Sequence, residues 1–138
     1  MLLTIDIGNT MVTMGVFDGN RLATTLRVAT ETRRLADEYG LLLTNLLRVN
    51  GVEASQIDAV CLCSVAPPLT LVFGEVCEVY FGVKPLTVSA GVRTGLRILY
   101  DNPKDVGADR IVDAVAAIEL YGTPLIVVDF GTATVFDA

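Results

Sequence analysis

The chain of 138 residues contains no histidine. That absence excludes a Ser-His-Asp triad and a Cys-His pair, since both need an imidazole to carry the proton. It also leaves cysteine without its usual partner in a zinc site. The three cysteines are odd in number. Cys61 and Cys63 alternate with Val60, Leu62 and Ser64. On a strand that spacing puts both on one face, as small buried hydrophobes rather than as a C-x-C metal site. Basic residues are few: ten Lys and Arg stand against sixteen Asp and Glu, a net charge of −6. They are scattered and form no basic stripe, so nucleic acid is not an expected partner. No apolar run reaches the roughly 18 residues of a membrane span. Gly, Thr, Asp and Arg interrupt every candidate. The chain opens on an apolar strand, with no basic leader and cleavage site, so the expected location is cytoplasmic.

What is plentiful is apolar. Hydrophobic residues make up 52% of the chain, and the mean hydropathy is +0.57. This length and composition are enough for a domain with a real core. The excess apolarity predicts a sheet buried on both faces, or a face awaiting a partner.

In order, the pattern predicts strands at Leu2 to Ile7, Val12 to Phe17 and Arg21 to Val28, an antiparallel meander joined partly by Asp18-Gly19-Asn20. A helix follows from Leu35 to Val49, with Leu35, Tyr39, Leu42, Leu43 and Leu46 as its core stripe. A strand from Ile57 to Ser64, begun at Gln56, has the near-continuous apolarity of a central parallel strand. Pro67-Pro68 opens a second helix carrying Leu69, Val72, Phe73, Val76, Cys77 and Tyr80. Pro85 to Val88 reads as a short strand. Ser89 to Pro103 is irregular, with Leu96 to Tyr100 a candidate extended segment, and a loop this long is usually functional or mobile. A third helix runs from Val106 or Gly107 to Tyr121, with Ala108, Ile111, Val112, Val115 and Ile118 inward. The end reads as strand Leu125 to Asp129, turn Phe130-Gly131-Thr132, and strand Ala133 to Asp137.

This order predicts an α/β fold: a ribonuclease-H-like domain whose mixed sheet has three antiparallel strands plus parallel strands, flanked by helices. The final stretch repeats the opening one. Leu2 to Thr10 and Leu125 to Thr132 both read as apolar strand, Asp, apolar residue, Gly, then Thr. Such a repeat implies a second copy of the fold. The expected division is therefore 1–122 for a first nucleotide-binding domain and 123–138 for the opening strands of a second, truncated one.

Asp6-Ile7-Gly8-Asn9-Thr10 places a carboxylate, a glycine, an amide and a hydroxyl at the end of a buried strand. Two readings stand. Asp and Asn are ordinary turn residues, and a plain hairpin suffices. Alternatively, backbone N–H groups and the Thr10 hydroxyl converge on an anion. A carboxylate beside an anion then needs an intervening cation, which predicts a Mg²⁺-phosphate site at Asp6.

Asp6 to Thr10, the segment from Asp101-Asn102-Pro103 through Gly107-Ala108-Asp109-Arg110-Ile111, and Asp129-Phe130-Gly131-Thr132-Ala133-Thr134 together resemble type III pantothenate kinase. This family belongs to the acetate kinase, sugar kinase, Hsp70 and actin superfamily. The resemblance spans the whole chain, roughly the first half of the family's usual length. It implies ATP-dependent phosphorylation of pantothenate to 4'-phosphopantothenate, the first step of coenzyme A synthesis. It implies ATP binding at Asp6, Ile7, Gly8, Asn9, Thr10, Met11, Val12 and Thr13, and at Gly131 and Thr132. It places K⁺ or NH₄⁺ at Asp129 and pantothenate at Tyr100, Gly107, Ala108, Asp109 and Arg110. Asp109 is implied as the general base, and the whole protein as a homodimer. The segment by itself is expected to be inactive. Met11 and Val135 depart from the family's usual polar residue and threonine.

Each assignment has a plainer counterpart. Asp109 is also a carboxylate at a helix N-terminus, where the dipole favours it. Arg110 suits a ligand carboxylate as a planar fork, or an i+3 ion pair with Asp113. Tyr100 suits substrate contact or core packing under the loop. Two other functions remain open. One is a regulatory relative of the Bvg accessory factor type. The other is a different kinase or phosphatase of the superfamily, against which the Gly-Ala-Asp-Arg segment speaks.

Overall fold

A computed structural model describes residues 1–89, 91–102, 105–131 and 133–138. They form two compact units, Met1–Thr87 and Val88–Ala138.

The first unit is built on a five-stranded sheet. Its strands are β1 (Leu2–Ile7), β2 (Met11–Asp18), β3 (Arg21–Ala29), β4 (Ala59–Ser64) and β5 (Leu86–Thr87), and its helices are α1 (Ala36–Val49) and α2 (Pro67–Tyr80). The sheet order is β3-β2-β1-β4-β5. β1, β2 and β3 pair antiparallel, whereas β4 runs parallel to β1 and β5 parallel to β4. This is the ribonuclease-H-like sheet that the sequence pattern predicts. Gly19 turns the β2–β3 hairpin with a φ of 58°, the left-handed conformation such two-residue loops require.

Alternation decides which side of the sheet is core. Leu3, Ile5, Ile7, Val12, Met14, Val16 and Leu62 are each 1% exposed or less. They share one cluster with Tyr39, Leu43 and Leu47 of α1 and with Leu69, Phe73, Val76 and Cys77 of α2. Tyr39 and Phe73 meet with ring centroids 4.6 Å apart. The Tyr39 hydroxyl accepts the Glu31 N–H at 2.9 Å and donates to the Glu31 carbonyl at 3.1 Å. A buried phenol is thereby satisfied by the loop entering α1. Gly40 lets the helices approach closely, because a Cβ there would strike the Tyr80 ring.

Several boundaries differ from the sequence expectation. Leu35 precedes α1 and is exposed; its N–H donates to Glu38 Oε2 at 2.8 Å. The α1 seam is Tyr39, Leu43 and Leu47, an i, i+4, i+8 row, so Leu47 replaces Leu35 as a core residue. Gln56 does not begin a strand: Ala54–Gln56 is a short 3₁₀ turn. Its side chain accepts the Glu53 N–H at 2.8 Å, a local bond that competes with pairing into the sheet.

The cysteines are free thiols. Val60 and Leu62 face the core, so Cys61 and Cys63 lie on the opposite side of β4, in register with Thr4 and Asp6. Cys77 is fully buried, and desolvation, with the nearby Glu78 charge, pushes its thiol up to about 12. A raised acid pKa means that the folded state holds the proton more tightly. Stability from Cys77 is therefore complete below pH 9 and is lost as pH rises toward about 12. Urea unfolding at pH 8 and pH 11 should show a smaller alkaline loss for Cys77→Ala than for the wild type. An equal loss would refute this assignment.

The second unit contains α3 (Ala108–Tyr121), β6 (Val127–Phe130) and β7 (Thr134–Asp137). β6 and β7 pair antiparallel from Val127 opposite Asp137 to Phe130 opposite Thr134. The strand therefore starts later than Leu125. Leu96 to Tyr100 joins no sheet. In α3 the inward stripe is thin: Ile111 is buried, but Ile118 is exposed. Tyr121, Ile126, Phe130 and Phe136 are also exposed, an apolar surface of the kind the composition predicts.

Candidate active site

In the first unit the candidate residues gather where β1 ends. Open α/β sheets place ligands at the carboxyl ends of parallel strands, and the Asp6 turn is at that end of β1. Gly8 N–H donates to the Met11 carbonyl at 3.0 Å, closing the turn. A Cβ on Gly8 would sit 3.0 Å from that same oxygen, a tight contact that the turn would have to relax to accept. This bond also commits one N–H that the anion reading would use. Thr30 holds the turn from β3's end: its hydroxyl donates to Gly8 O at 2.8 Å and its N–H to Thr10 O at 3.0 Å. The sequence pattern gives Thr30 no role beyond a polar loop.

Asp6, Asn9, Thr10 and Met11 are exposed, and Gly8 and Thr13 half-buried. Ile7 and Val12 are fully buried core residues, so only their backbone is available to a ligand. Asp6 lies opposite Thr13 on β2 and Cys63 on β4. A carboxylate, hydroxyls and an open polar turn fit a metal-bound phosphate.

The second unit repeats the residue order, though not the hydrogen bond to the third residue on. Asp129 and Gly131 stand in the same order around the β6–β7 turn as Asp6 and Gly8 around the first, and Gly131 N–H donates to Ala133 O at 3.1 Å. Asp129 is exposed, and a Cβ on Gly131 would lie 3.2 Å from its Oδ2. Thr132 lies outside the described residues, as does Pro103 of the segment before α3. Among the described residues no three His, Cys, Asp or Glu side chains cluster as a metal site.

Gly107 is the N-cap of α3 and has no side chain to cap with. Asp109 supplies the cap instead, because its Oδ1 accepts the Arg110 N–H at 2.8 Å, one of the donors a helix start leaves unpaired. The carboxylate folds back over Gly107, where any Cβ would collide with it.

Arg110 pairs with Asp137, 27 positions on, rather than locally. Its Nε donates to Asp137 Oδ1 at 2.9 Å, and its Nη2 forms an ion pair with the same oxygen. That bond is the foremost reason the guanidinium pKa is raised. Arg110 and Asp137 line a cavity of about 560 Å³ with Tyr100, Ile98, Ile111 and Phe136. Its size suits a small organic ligand. Tyr100 is 54% exposed, so it lines the cavity instead of packing as core. Gly107, Ala108 and Asp109 precede Arg110 on the chain but do not line this cavity. Asp137 has no signal in the sequence, because nothing local marks a partner that far away.

The family model described as "Type III pantothenate kinase" matches residues 2–138. The chain belongs to the type III pantothenate kinase family. A type III pantothenate kinase of Geobacter sulfurreducens is 54% identical over 99% of this chain and 54% of its own length. Type III pantothenate kinase 2 of Symbiobacterium thermophilum is 53% identical over 100% of this chain and 52% of its own. A type III pantothenate kinase of Myxococcus xanthus is 51% identical over 100% of this chain and 54% of its own. The chain thus spans about half the length of the curated relatives it matches. No helix among the described residues is long and apolar enough to cross a membrane.

Proposed function

We propose that the protein carrying this chain phosphorylates pantothenate with ATP, giving 4'-phosphopantothenate and ADP. The observation that carries the proposal is the arrangement at the start of α3. A capping carboxylate, Asp109, is followed directly by Arg110, which lines a ligand-sized cavity. In that reading Arg110 takes the pantothenate carboxylate in the cavity that Tyr100 also lines, and Gly107, Ala108 and Asp109, outside that lining, meet the part of the substrate that extends beyond it. Asp109 holds the substrate hydroxyl through the oxygen not given to Arg110 N–H, and accepts its proton as transfer proceeds. Phosphoryl transfer asks little else of a protein than alignment and charge screening.

The Asp6-to-Thr13 turn is the proposed phosphate loop, with Gly131 and Thr132 as a second nucleotide contact. Asp6 would hold Mg²⁺ and Asp129 a monovalent cation, K⁺ or NH₄⁺; these ions would neutralise phosphate charge. Residues 123–138 are proposed as the opening of a second ribonuclease-H-like domain, on the strength of the repeated strand, Asp-x-Gly and strand. A homodimer and a cytoplasmic setting belong to the same reading.

The curated relatives are named as kinases, which favours an enzyme over a regulator. The full-length protein should release ADP only when pantothenate is present, and faster in K⁺ or NH₄⁺ than in Na⁺. ATP hydrolysis indifferent to pantothenate would point to another member of the superfamily. No hydrolysis at all would favour the regulatory reading. Asp129→Ala should remove most of the K⁺ stimulation; an unchanged K⁺ response would reject Asp129 as its ligand.

A further inference from the structure

Asp137 lies outside every motif that carries the family resemblance, yet it holds the side chain on which substrate recognition would depend. We propose that Asp137 is the positioning residue for Arg110, fixing its guanidinium so that one edge is reserved for a monoanionic carboxylate ligand. The inference rests on the pantothenate reading of the cavity.

A guanidinium offers five N–H donors in a rigid plane. Here Nε and Nη2 both go to Asp137 Oδ1. Nη1 and the second N–H of Nη2, which together form the outer edge of the guanidinium, are not part of that pair. A carboxylate binding there meets two parallel N–H groups, the bidentate geometry that makes Arg selective for planar anions. Both partners are sheltered, with side-chain exposures of 32% for Arg110 and 22% for Asp137. The two residues also line the same cavity. An unpaired Arg on a flexible stem must lose rotamer freedom when a ligand binds. Asp137 removes that freedom beforehand, so less is lost on binding. The anchor is local to this unit: Asp137 closes the β6–β7 ladder opposite Val127, and a side chain on a paired strand holds its geometry better than one on a loop.

The test compares two ligands on the full-length protein by calorimetry. Pantothenate carries the carboxylate, and pantothenol replaces it with a neutral alcohol. Asp137→Asn keeps the size but weakens the hold on Arg110. The expected result is that the preference for pantothenate over pantothenol falls by about tenfold, the loss of one charge-assisted contact. Asp137→Glu should restore part of it, and Arg110→Gln should abolish it, with no further loss in the Arg110→Gln/Asp137→Asn double variant. A preference unchanged in Asp137→Asn, with both ligands weakened equally, would make Asp137 merely structural and overturn the inference. Tighter pantothenate binding would also overturn it, because Asp137 would then be a competitor for Arg110. If the wild type binds pantothenate and phosphorylates it but the ratio does not move, only this inference fails. If the wild type neither binds nor phosphorylates pantothenate, the proposed function fails, and the inference falls with it.

Discussion

Asp109→Asn in the full-length protein should lower turnover by at least about 100-fold, the usual contribution of a positioned acid–base group. It should leave the fold intact. Asparagine keeps a side-chain oxygen where Oδ1 accepts the Arg110 N–H, so the start of α3 remains capped. What it removes is the basic oxygen that would receive the substrate proton. The thermal midpoint should therefore stay near that of the wild type while kcat collapses and the KM for ATP changes little. Asp109→Ala should behave differently, losing both kcat and some stability, because the helix then loses its cap. The pair of variants separates the two roles that stand side by side in the sequence. Full activity in Asp109→Asn would sink the base assignment and leave Asp109 as a helix cap alone.

The largest stability effect is expected at Phe73. It is fully buried between α2 and α1, with its ring against Tyr39. Phe73→Ala should cost about 3–5 kcal/mol, since burial is lost and a cavity is left. That is a large part of the roughly 5–15 kcal/mol that holds a domain together. Tyr39 would lose its packing partner while its hydroxyl stays tied to the Glu31 backbone, so the site collapses poorly around the void. Phe73→Leu should cost much less, because it refills most of the volume. Urea unfolding followed by far-UV circular dichroism measures both. A loss under about 1 kcal/mol for Phe73→Ala would contradict the placement of Phe73 at the centre of the core.

The first unit is legible in the sequence because its signals are local. Period-two alternation in β1 and β2, the Asp18-Gly19-Asn20 turn and Pro67-Pro68 at the start of α2 each act within a few residues. Leu35 stands on the same i, i+4 row as Tyr39, Leu43 and Leu47, but it is the extended residue before the helix, so the row begins at Tyr39 and runs on to Leu47. The strand expected from Gln56 becomes a 3₁₀ turn through a side-chain bond to Glu53. In the site, residue types are legible but partners are not. The Asp-x-Gly plan at Asp6 and Asp129 can be read directly, and so can the acid and base at the head of α3. Thr30 under Gly8, and Asp137 on Arg110, join positions 22 and 27 apart. No periodicity links residues that far apart.

Two glycines of the candidate site stand where a side chain would crowd a neighbour. At Gly8 it would press on Met11 O, and at Gly107 it would displace the Asp109 carboxylate.

The central claim is that the protein carrying this chain transfers a phosphoryl group from ATP to pantothenate. ³¹P NMR of the full-length protein with Mg-ATP, K⁺ and pantothenate tests it most directly. The expected result is a new phosphomonoester resonance that grows in step with ADP and coincides with added 4'-phosphopantothenate. ATP left intact, or ADP and inorganic phosphate appearing without that resonance, would contradict it.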